Sequence, residues 1–109
     1  METMEHARPR FIKDMREGEK VSVVGLVVSK SETGYIILDD GTGQATILVP
    51  NDEVLESIRP GEPIRVIGSV IGEGEIRSYL VQSMQGLDME LYREYMKLRE
   101  KLKREKGDN

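Results

Sequence analysis

Three apolar segments follow one another in the first half of the chain, and each predicts a β-strand. The first, VSVVGLVVS at residues 21–29, is rich in β-branched residues and apolar on both alternating sets, which indicates that both faces are at least partly covered. YIILD and QATILVP follow, and between them lies DDGTG, whose glycines supply the positive φ that hairpin turns require. Gly25, inside the first strand, predicts a bulge or bend through which one long strand can serve two sheets.

A short helix and two further strands complete this pattern. Asn51 is a good N-cap for NDEVLESI, and the two acidic residues that follow it suit the positive end of a helix. IRVIGSVIG then repeats the first strand with Gly68 in the place of Gly25, and IRSYLVQSM is the fifth strand. The order predicts an all-β, five-stranded Greek-key barrel with a short helix between strands 3 and 4. An SH3-like barrel, which usually lacks that helix, is the structural alternative.

The last segment, DMELYREYMKLREKLKREKG, predicts an amphipathic α-helix. Asp88 is a suitable cap, acidic residues come early and basic residues come late, as the helix dipole favours. Leucine and tyrosine side chains form an apolar stripe with spacings of four, three and four residues: Leu91, Tyr95, Leu98 and Leu102. Tyr92 and Met96 widen this stripe. Such a stripe needs a partner. The helix either folds back on its own barrel or packs against helices of other chains.

These elements divide the chain of 109 residues, which fits one small domain. Residues 1–10 are polar, contain Pro9 and have no apolar period, which predicts a flexible N-terminal tail. The barrel is expected over residues 11–87 and the C-terminal helix over residues 88–106. A domain this short buries a modest core, so reliance on a partner is a reasonable expectation.

Composition excludes several classes of function. The chain has no cysteine, so disulfides and thiolate metal sites are excluded, and its one histidine, His6, lies in the polar tail. No nucleophile–base pair can be proposed, and we expect no enzyme activity, no metal and no cofactor. No apolar run approaches the roughly 20 residues needed to span a bilayer. We therefore expect a cytoplasmic protein without membrane association. The net charge of −4 argues against a strongly basic polyanion binder.

The segment DDGTG at residues 39–43 raises the question of a metal or phosphate site. Its spacing does not match an EF-hand loop, which needs alternating oxygen ligands and a distal glutamate. It also lacks the lysine and the following helix of a phosphate-binding glycine loop. We interpret it as a hairpin turn whose carboxylates accept hydrogen bonds from turn amides.

The barrel order, the DDGTG hairpin and the apolar C-terminal helix together resemble the OB-fold subunits of replication protein A. That complex binds single-stranded DNA in archaea and eukaryotes. The middle subunit is the most similar, through YLVQSMQGLDMELYREYMKLRE, in which the last strand runs through a Leu-Asp cap into the helix. EKVSVVGLVVSKSETGYIILDDGTGQATILV adds the general OB pattern, and the resemblance covers about residues 11–105. Telomere-capping relatives of this subunit share the same layout.

The resemblance implies an OB barrel whose C-terminal helix joins the helices of other OB-fold subunits in a heterotrimeric bundle. The expected partners are therefore those subunits and single-stranded DNA, with roles in DNA replication and repair, and the isolated chain could form a homo-oligomer. The residues expected at the subunit interface are Leu91, Tyr92, Tyr95, Leu98 and Leu102.

OB domains bind single strands on the outer face of strands 2 and 3 and on the flanking loops, with aromatic side chains for bases and Lys or Arg for phosphates. Leu48 stands where this family typically carries a stacking aromatic, and the loop GEGE is acidic and lacks a second one. These departures predict weak DNA binding by the chain alone. The candidate nucleic-acid-binding residues are Lys30, Tyr35, Thr46, Leu48, Arg65, Arg77 and Tyr79.

Two alternatives remain open. In the first, the chain is a purely structural assembly subunit, and partner chains make all contacts with DNA. In the second, it is an RNA-binding OB protein, for which a stronger basic face would be expected than the sequence shows.

Overall fold

The computed structural model describes residues 7–105, which form a β-barrel with a helix packed on its outside. The elements, in chain order, are β1 (Arg8–Pro9), a 3-10 turn (Ile12–Asp14), β2 (Lys20–Lys30), β3 (Tyr35–Asp39), β4 (Gln44–Leu48), α1 (Asp52–Ser57), β5 (Pro63–Gly72), β6 (Glu75–Ser83) and α2 (Met89–Glu105). The predicted order of three strands, a short helix and two strands is confirmed.

Five strands close the barrel. β2, β3 and β4 pair as an antiparallel meander, β4 pairs with β6 in parallel, β6 pairs with β5, and β5 returns to β2. The first half of β2 pairs with β5 from Lys20 to Leu26, and its second half pairs with β3 from Leu26 to Lys30. One long strand therefore serves both sides of the barrel, as the sequence predicted.

Two glycines permit the close approach of neighbouring strands. A Cβ atom on Gly25 would lie 2.7 Å from the carbonyl oxygen of Asp39, and one on Gly68 would clash with the carbonyl oxygen of Arg77. Gly68 also lies at a register shift between β5 and β6, which is the bulge expected of a glycine within a strand. Any side chain at either position would collide with backbone.

The core consists of aliphatic side chains on the inner faces of β2 to β6, closed at one end by α1. Asn51 caps α1, since its side-chain oxygen accepts the N–H of Val54 at 3.0 Å. Leu55 of α1 and Ile58, which directly follows the helix, are buried and join the barrel core. Ile12, in the 3-10 turn, covers part of the same cluster. The alternation of buried and exposed positions follows from the strand period of two.

The N-terminal segment differs in part from the prediction. Residues 1–6 of the predicted tail lie outside the described residues. Arg8 and Pro9 pair in parallel with Val21 and Ser22 at the start of β2, and the N–H of Arg10 donates to the carbonyl of Ser22. Within residues 7–105, no helix is long and apolar enough to cross a membrane.

Candidate nucleic-acid and subunit interfaces

Four predicted residues lie on the outer face of β3, β4 and β6. Tyr35 pairs with Leu48 across the antiparallel strands, and Leu48 lies beside Arg77 across the parallel pair, so the three form a row. Tyr79 follows Arg77 on the same face of β6. Tyr35 and Leu48 are 37% and 36% exposed, although each lies next to a fully buried isoleucine in its strand. We call this set the outer face: Tyr35, Leu48, Arg77 and Tyr79.

Two open hollows adjoin the outer face. One, of about 500 Å³, lies between β6 and the start of α1 and is lined in part by Tyr79 and Arg77. The other, of about 330 Å³, lies between Leu48 and the turn before β3. Arg77 and Pro50 line both hollows, so the two are neighbours on one side of the barrel. Proteins bind single-stranded nucleic acids by stacking bases on flat side chains and by placing cations beside the phosphates, and this face has both kinds of group.

The charge on this face is mixed. Thr46, the fifth predicted residue of this region, is half-buried and pairs with Glu75, which is exposed at the start of β6. Asp52 lines the smaller hollow together with Arg77. The hydroxyl of Tyr79 forms a hydrogen bond with that of Ser69, which holds the ring in place. The face therefore offers one cation beside two carboxylates, a weak environment for a phosphate backbone.

Lys30 and Arg65 do not join this group. The ammonium of Lys30 donates to the carbonyls of Leu55 at 3.1 Å and Ile58 at 2.9 Å, at the C-terminal end of α1. Basic groups are favoured at that end of a helix, so Lys30 stabilises α1. Arg65 pairs with Val24 on β2, and its Nε donates to the side-chain oxygen of Gln82 at 2.9 Å. The structure thus separates both cations from the outer face.

The predicted helix stripe is divided between two faces of α2. Asp88 caps the helix through the N–H groups of Glu90 and Leu91. Met96 is 1% exposed and is therefore buried on one side of the helix. Four residues, by contrast, are largely exposed: Leu91 at 64%, Tyr95 at 57%, Leu98 at 55% and Leu102 at 47%. We call these four the exposed stripe. α2 is thus docked on its barrel through one face and leaves a second apolar face uncovered.

Tyr92 lies on the docked face and is half-buried. Burial raises the pKa of its phenol, the charge of Asp40 raises it further, and the charges of Arg65 and Arg99 oppose this. The neighbouring Arg93 lies 3.5 Å from the carbonyl oxygen of Asp40, so this side of α2 faces the barrel. The prediction grouped Tyr92 with the subunit interface, and in the structure this side chain is half-buried within the chain itself. Helical spacing could not distinguish the two faces because apolar residues lie on both.

The hairpin at residues 39–43 joins three parts of the fold. Asp40 is 2% exposed. One of its oxygens accepts the N–H and hydroxyl of Thr42, and the other accepts the N–H of Ile12 at 2.7 Å. Asp39 accepts the N–H of Gly41, so the predicted bonds from carboxylates to turn amides are confirmed. The guanidinium of Arg93 on α2 lies against this turn, 3.5 Å from the carbonyl oxygen of Asp40.

Two exposed residues of β2 were missed by the sequence analysis. Leu26 and Val28 are exposed on the outside of the barrel, and Val28 lies at a register shift between β2 and β3. The apolar pattern on both sets of β2 predicted that both faces are at least partly covered, and the structure buries every residue from Val21 to Gly25. The structure buries Val24 but leaves these two residues in solvent.

Comparison with solved structures places this architecture among OB-fold proteins. The telomere-capping protein Ten1 from S. pombe has a TM-score of 0.69 and 28% sequence identity, over 83% of this chain and 90% of that one. The S. pombe Stn1–Ten1 complex contains a chain with the same TM-score and identity, over 83% of this chain and 85% of that one. Replication protein A from U. maydis, bound to single-stranded DNA, has a TM-score of 0.66 and 16% identity, over 81% and 82% of the two chains.

The chain has an OB fold. Its structural neighbours include a telomere-capping subunit and replication protein A, so the resemblance inferred from the strand-to-helix join is confirmed. No protein-family model matches the chain, and no curated protein matches it. The likeness to replication protein A, at 16% identity, supports the fold alone.

Proposed function

We propose that this chain is an OB-fold subunit of a complex that binds single-stranded DNA, with the division into tail, barrel and assembly helix predicted from the sequence. It assembles with other OB-fold subunits through α2, has no enzymatic role, and contacts DNA weakly through its own outer face. The observation that carries the proposal is the exposed stripe on a helix already docked through its opposite face. A heterotrimer acting in replication and repair is the finer form of this proposal.

The exposed stripe supports assembly because it is continuous and large. Its four side chains recur at the spacing of a helix–helix seam, and each keeps about half of its surface or more in solvent. Contiguous exposed apolar patches mark interaction sites more often than single exposed residues do. The Stn1–Ten1 complex shows that a chain with a similar fold is held in an assembly, which supports the same interpretation here.

Assembly is tested by the double substitution Leu98→Asp and Leu102→Asp. We expect loss of co-purification with OB-fold partner chains, because two carboxylates would enter the apolar seam, while circular dichroism of the barrel is retained. Lys97→Asp with Lys101→Asp is the matched control, since these residues are exposed on the same helix but outside the stripe. Partner chains that co-purify equally with the Leu98 and Leu102 variant would refute assembly through this face.

DNA contact is tested by fluorescence anisotropy of a labelled oligo-dT with the purified chain, at low and then moderate salt. Stacking contributes roughly 1–3 kcal/mol per base, so Tyr35→Ala should weaken binding about 5- to 150-fold. Tyr95→Ala is the control, because that ring is exposed on α2 and away from the outer face. Equal affinities for the two variants would exclude Tyr35 as a stacking residue.

The distribution of charge favours one rival function, a purely structural subunit. With Lys30 bound to α1 and Arg65 bound to Gln82, Arg77 is the one predicted cation that remains on the outer face. Absence of saturable oligo-dT binding at micromolar protein, with assembly intact, would favour this rival.

A further inference from the structure

A further hollow, apart from the two beside the outer face, is lined largely by cationic side chains. It has a volume of about 290 Å³ and lies between the β1 segment and the last turns of α2. Arg8 and Arg10 enter it from the β1 segment, and Arg99 and Lys103 enter it from α2. Ala7 and Pro9 complete its lining. We call this site the basic hollow.

The basic hollow has more hydrogen-bond donors than acceptors. Arg10 donates from one terminal nitrogen to the carboxylate of Glu19 at 2.8 Å, and that ion pair offsets one of the four positive charges. The Nε of Arg10 is buried and has no hydrogen-bond partner among the described residues. Buried polar groups are normally satisfied, so this unpaired N–H adds to the surplus of donors among the side chains that line the hollow.

We propose that the basic hollow binds a phosphodiester of the single-stranded DNA backbone. Three of its four cations are arginines, whose planar forks match phosphate oxygens and donate two hydrogen bonds at once. The hollow, of about 290 Å³, is large enough to admit a phosphate group. The proposal goes beyond the outer face by adding a separate contact, and it rests on the proposed function for the choice of DNA.

The positive charge of the basic hollow contrasts with the negative charge of the chain as a whole. The chain carries a net charge of −4, so its general field repels a polyanion. The outer face has a single cation beside two carboxylates, as described above. A strand that stacks weakly there would gain its electrostatic attraction from the basic hollow, which holds an excess of positive charge even after the Arg10–Glu19 pair is counted.

The first test is an NMR titration that observes the arginine Nε–H resonances of the full chain. The probe is thymidylyl-thymidine, a dinucleotide with a single phosphodiester, added at low salt. We expect saturable shifts of the Arg8, Arg10 and Arg99 signals, and loss of the Arg10 shift in the Arg8→Ala, Arg99→Ala variant. The control variant Lys97→Ala, Lys101→Ala removes two exposed charges of α2 that do not line the hollow, and it should respond as the parent chain does.

Each outcome decides between the sites. If the arginine shifts with the dinucleotide persist in Tyr35→Ala, and that variant still binds oligo-dT weakly, the basic hollow binds phosphate even where the outer face makes no contact. Absence of Arg10 shifts overturns the proposal, whether or not the outer face binds DNA. Shifts with inorganic phosphate or an acidic peptide but not with the dinucleotide also overturn it, because the hollow would then be a general anion or protein site.

A second test uses the salt dependence of oligo-dT affinity for the full chain. Each phosphate contact with a single strand contributes about 0.7 to the slope of log affinity against log salt. The Arg8→Ala, Arg99→Ala variant should therefore show a slope smaller by about 0.7 for each contact it loses. A slope equal to that of the parent chain would place the phosphate contacts elsewhere.

Discussion

Met96 and Leu98 lie two residues apart on α2 and face different surroundings, so they provide a sharp test of how this helix is used. Met96 is 1% exposed, whereas Leu98 is 55% exposed. We consider replacing each of them with alanine in separate variants. Alanine suits a helix better than either residue, so helix propensity does not account for any loss of stability.

The structure predicts unequal costs for the two substitutions. Truncation of a fully buried methionine to alanine costs about 2–5 kcal/mol, and we expect about 2 kcal/mol for Met96→Ala because α2 packs from outside and can settle toward the barrel. Burial contributes about 0.8 kcal/mol per methylene. More than half of the Leu98 side chain is already in water, so Leu98→Ala should cost less than about 1 kcal/mol.

The assay is urea unfolding of the monomeric chain followed by far-UV circular dichroism, with amide hydrogen exchange of α2. If the helix and barrel unfold together, the loss from Met96→Ala appears as a lower urea midpoint. If α2 separates first, the loss appears as faster exchange in α2 while the barrel strands stay protected. Sedimentation at the same protein concentration confirms that neither variant self-associates.

Equal destabilisation by the two substitutions would refute the assignment of faces. It would mean that the exposed stripe is packed on the barrel in solution, as a helix folded back through its leucines would be. Loss of stability from Leu98→Ala alone would lead to the same conclusion. The proposal of assembly through the exposed stripe depends on the opposite result.

Two further predictions concern the docked side of the molecule. Asp40→Asn should destabilise the fold by at least about 1 kcal/mol, since hydrogen bonds to charged groups contribute about 1.5–3 kcal/mol and Asp40 accepts three when buried. Asp39→Asn, in the more exposed half of the turn, is the control in the same urea assay, and an equal loss there would contradict the role of Asp40. Burial raises the pKa of Tyr92 above 10.0, so the folded chain holds that proton more tightly than the unfolded chain does. The stability that this group contributes is complete below pH 10.0 and is lost as the pH rises through the raised pKa. The free energy of unfolding should therefore fall less in Tyr92→Phe than in the parent chain as the pH rises from 10.0 through that pKa. An equal fall in both would count against burial of the phenol.

Much of the barrel could be predicted from the sequence because the relevant signals are local. Strand alternation, the glycines of the turns and the caps Asn51 and Asp88 depend on residues close together in the chain. Gly25 and Gly68 indicated bends or bulges, and the structure explains their need through approaching carbonyl groups. The likeness to solved OB-fold structures confirms the fold class that these signals predicted.

The candidate sites depended more on tertiary structure. Lys30 and Arg65 each fit a phosphate contact by residue type, but their partners lie 25 and 17 positions away in the chain. Arg8 and Arg10 were assigned to a polar tail, and their meeting with Arg99 and Lys103 depends on where α2 docks. Such convergence cannot be read from spacing along the chain, because the residues involved belong to opposite ends of it.

The sequence by itself determined the five strands of the barrel and the helices α1 and α2, and it showed that α2 carries more apolar surface than a solvent-exposed helix needs. It did not determine which apolar face of α2 meets the barrel, because Tyr92 and Met96 satisfy the helical period as well as Leu98 does. Tertiary packing decided this by burying Met96 and leaving the exposed stripe in solvent. The physical reason is that periodicity reports the presence of an apolar face, whereas its partner is set by shape and contact across the folded chain.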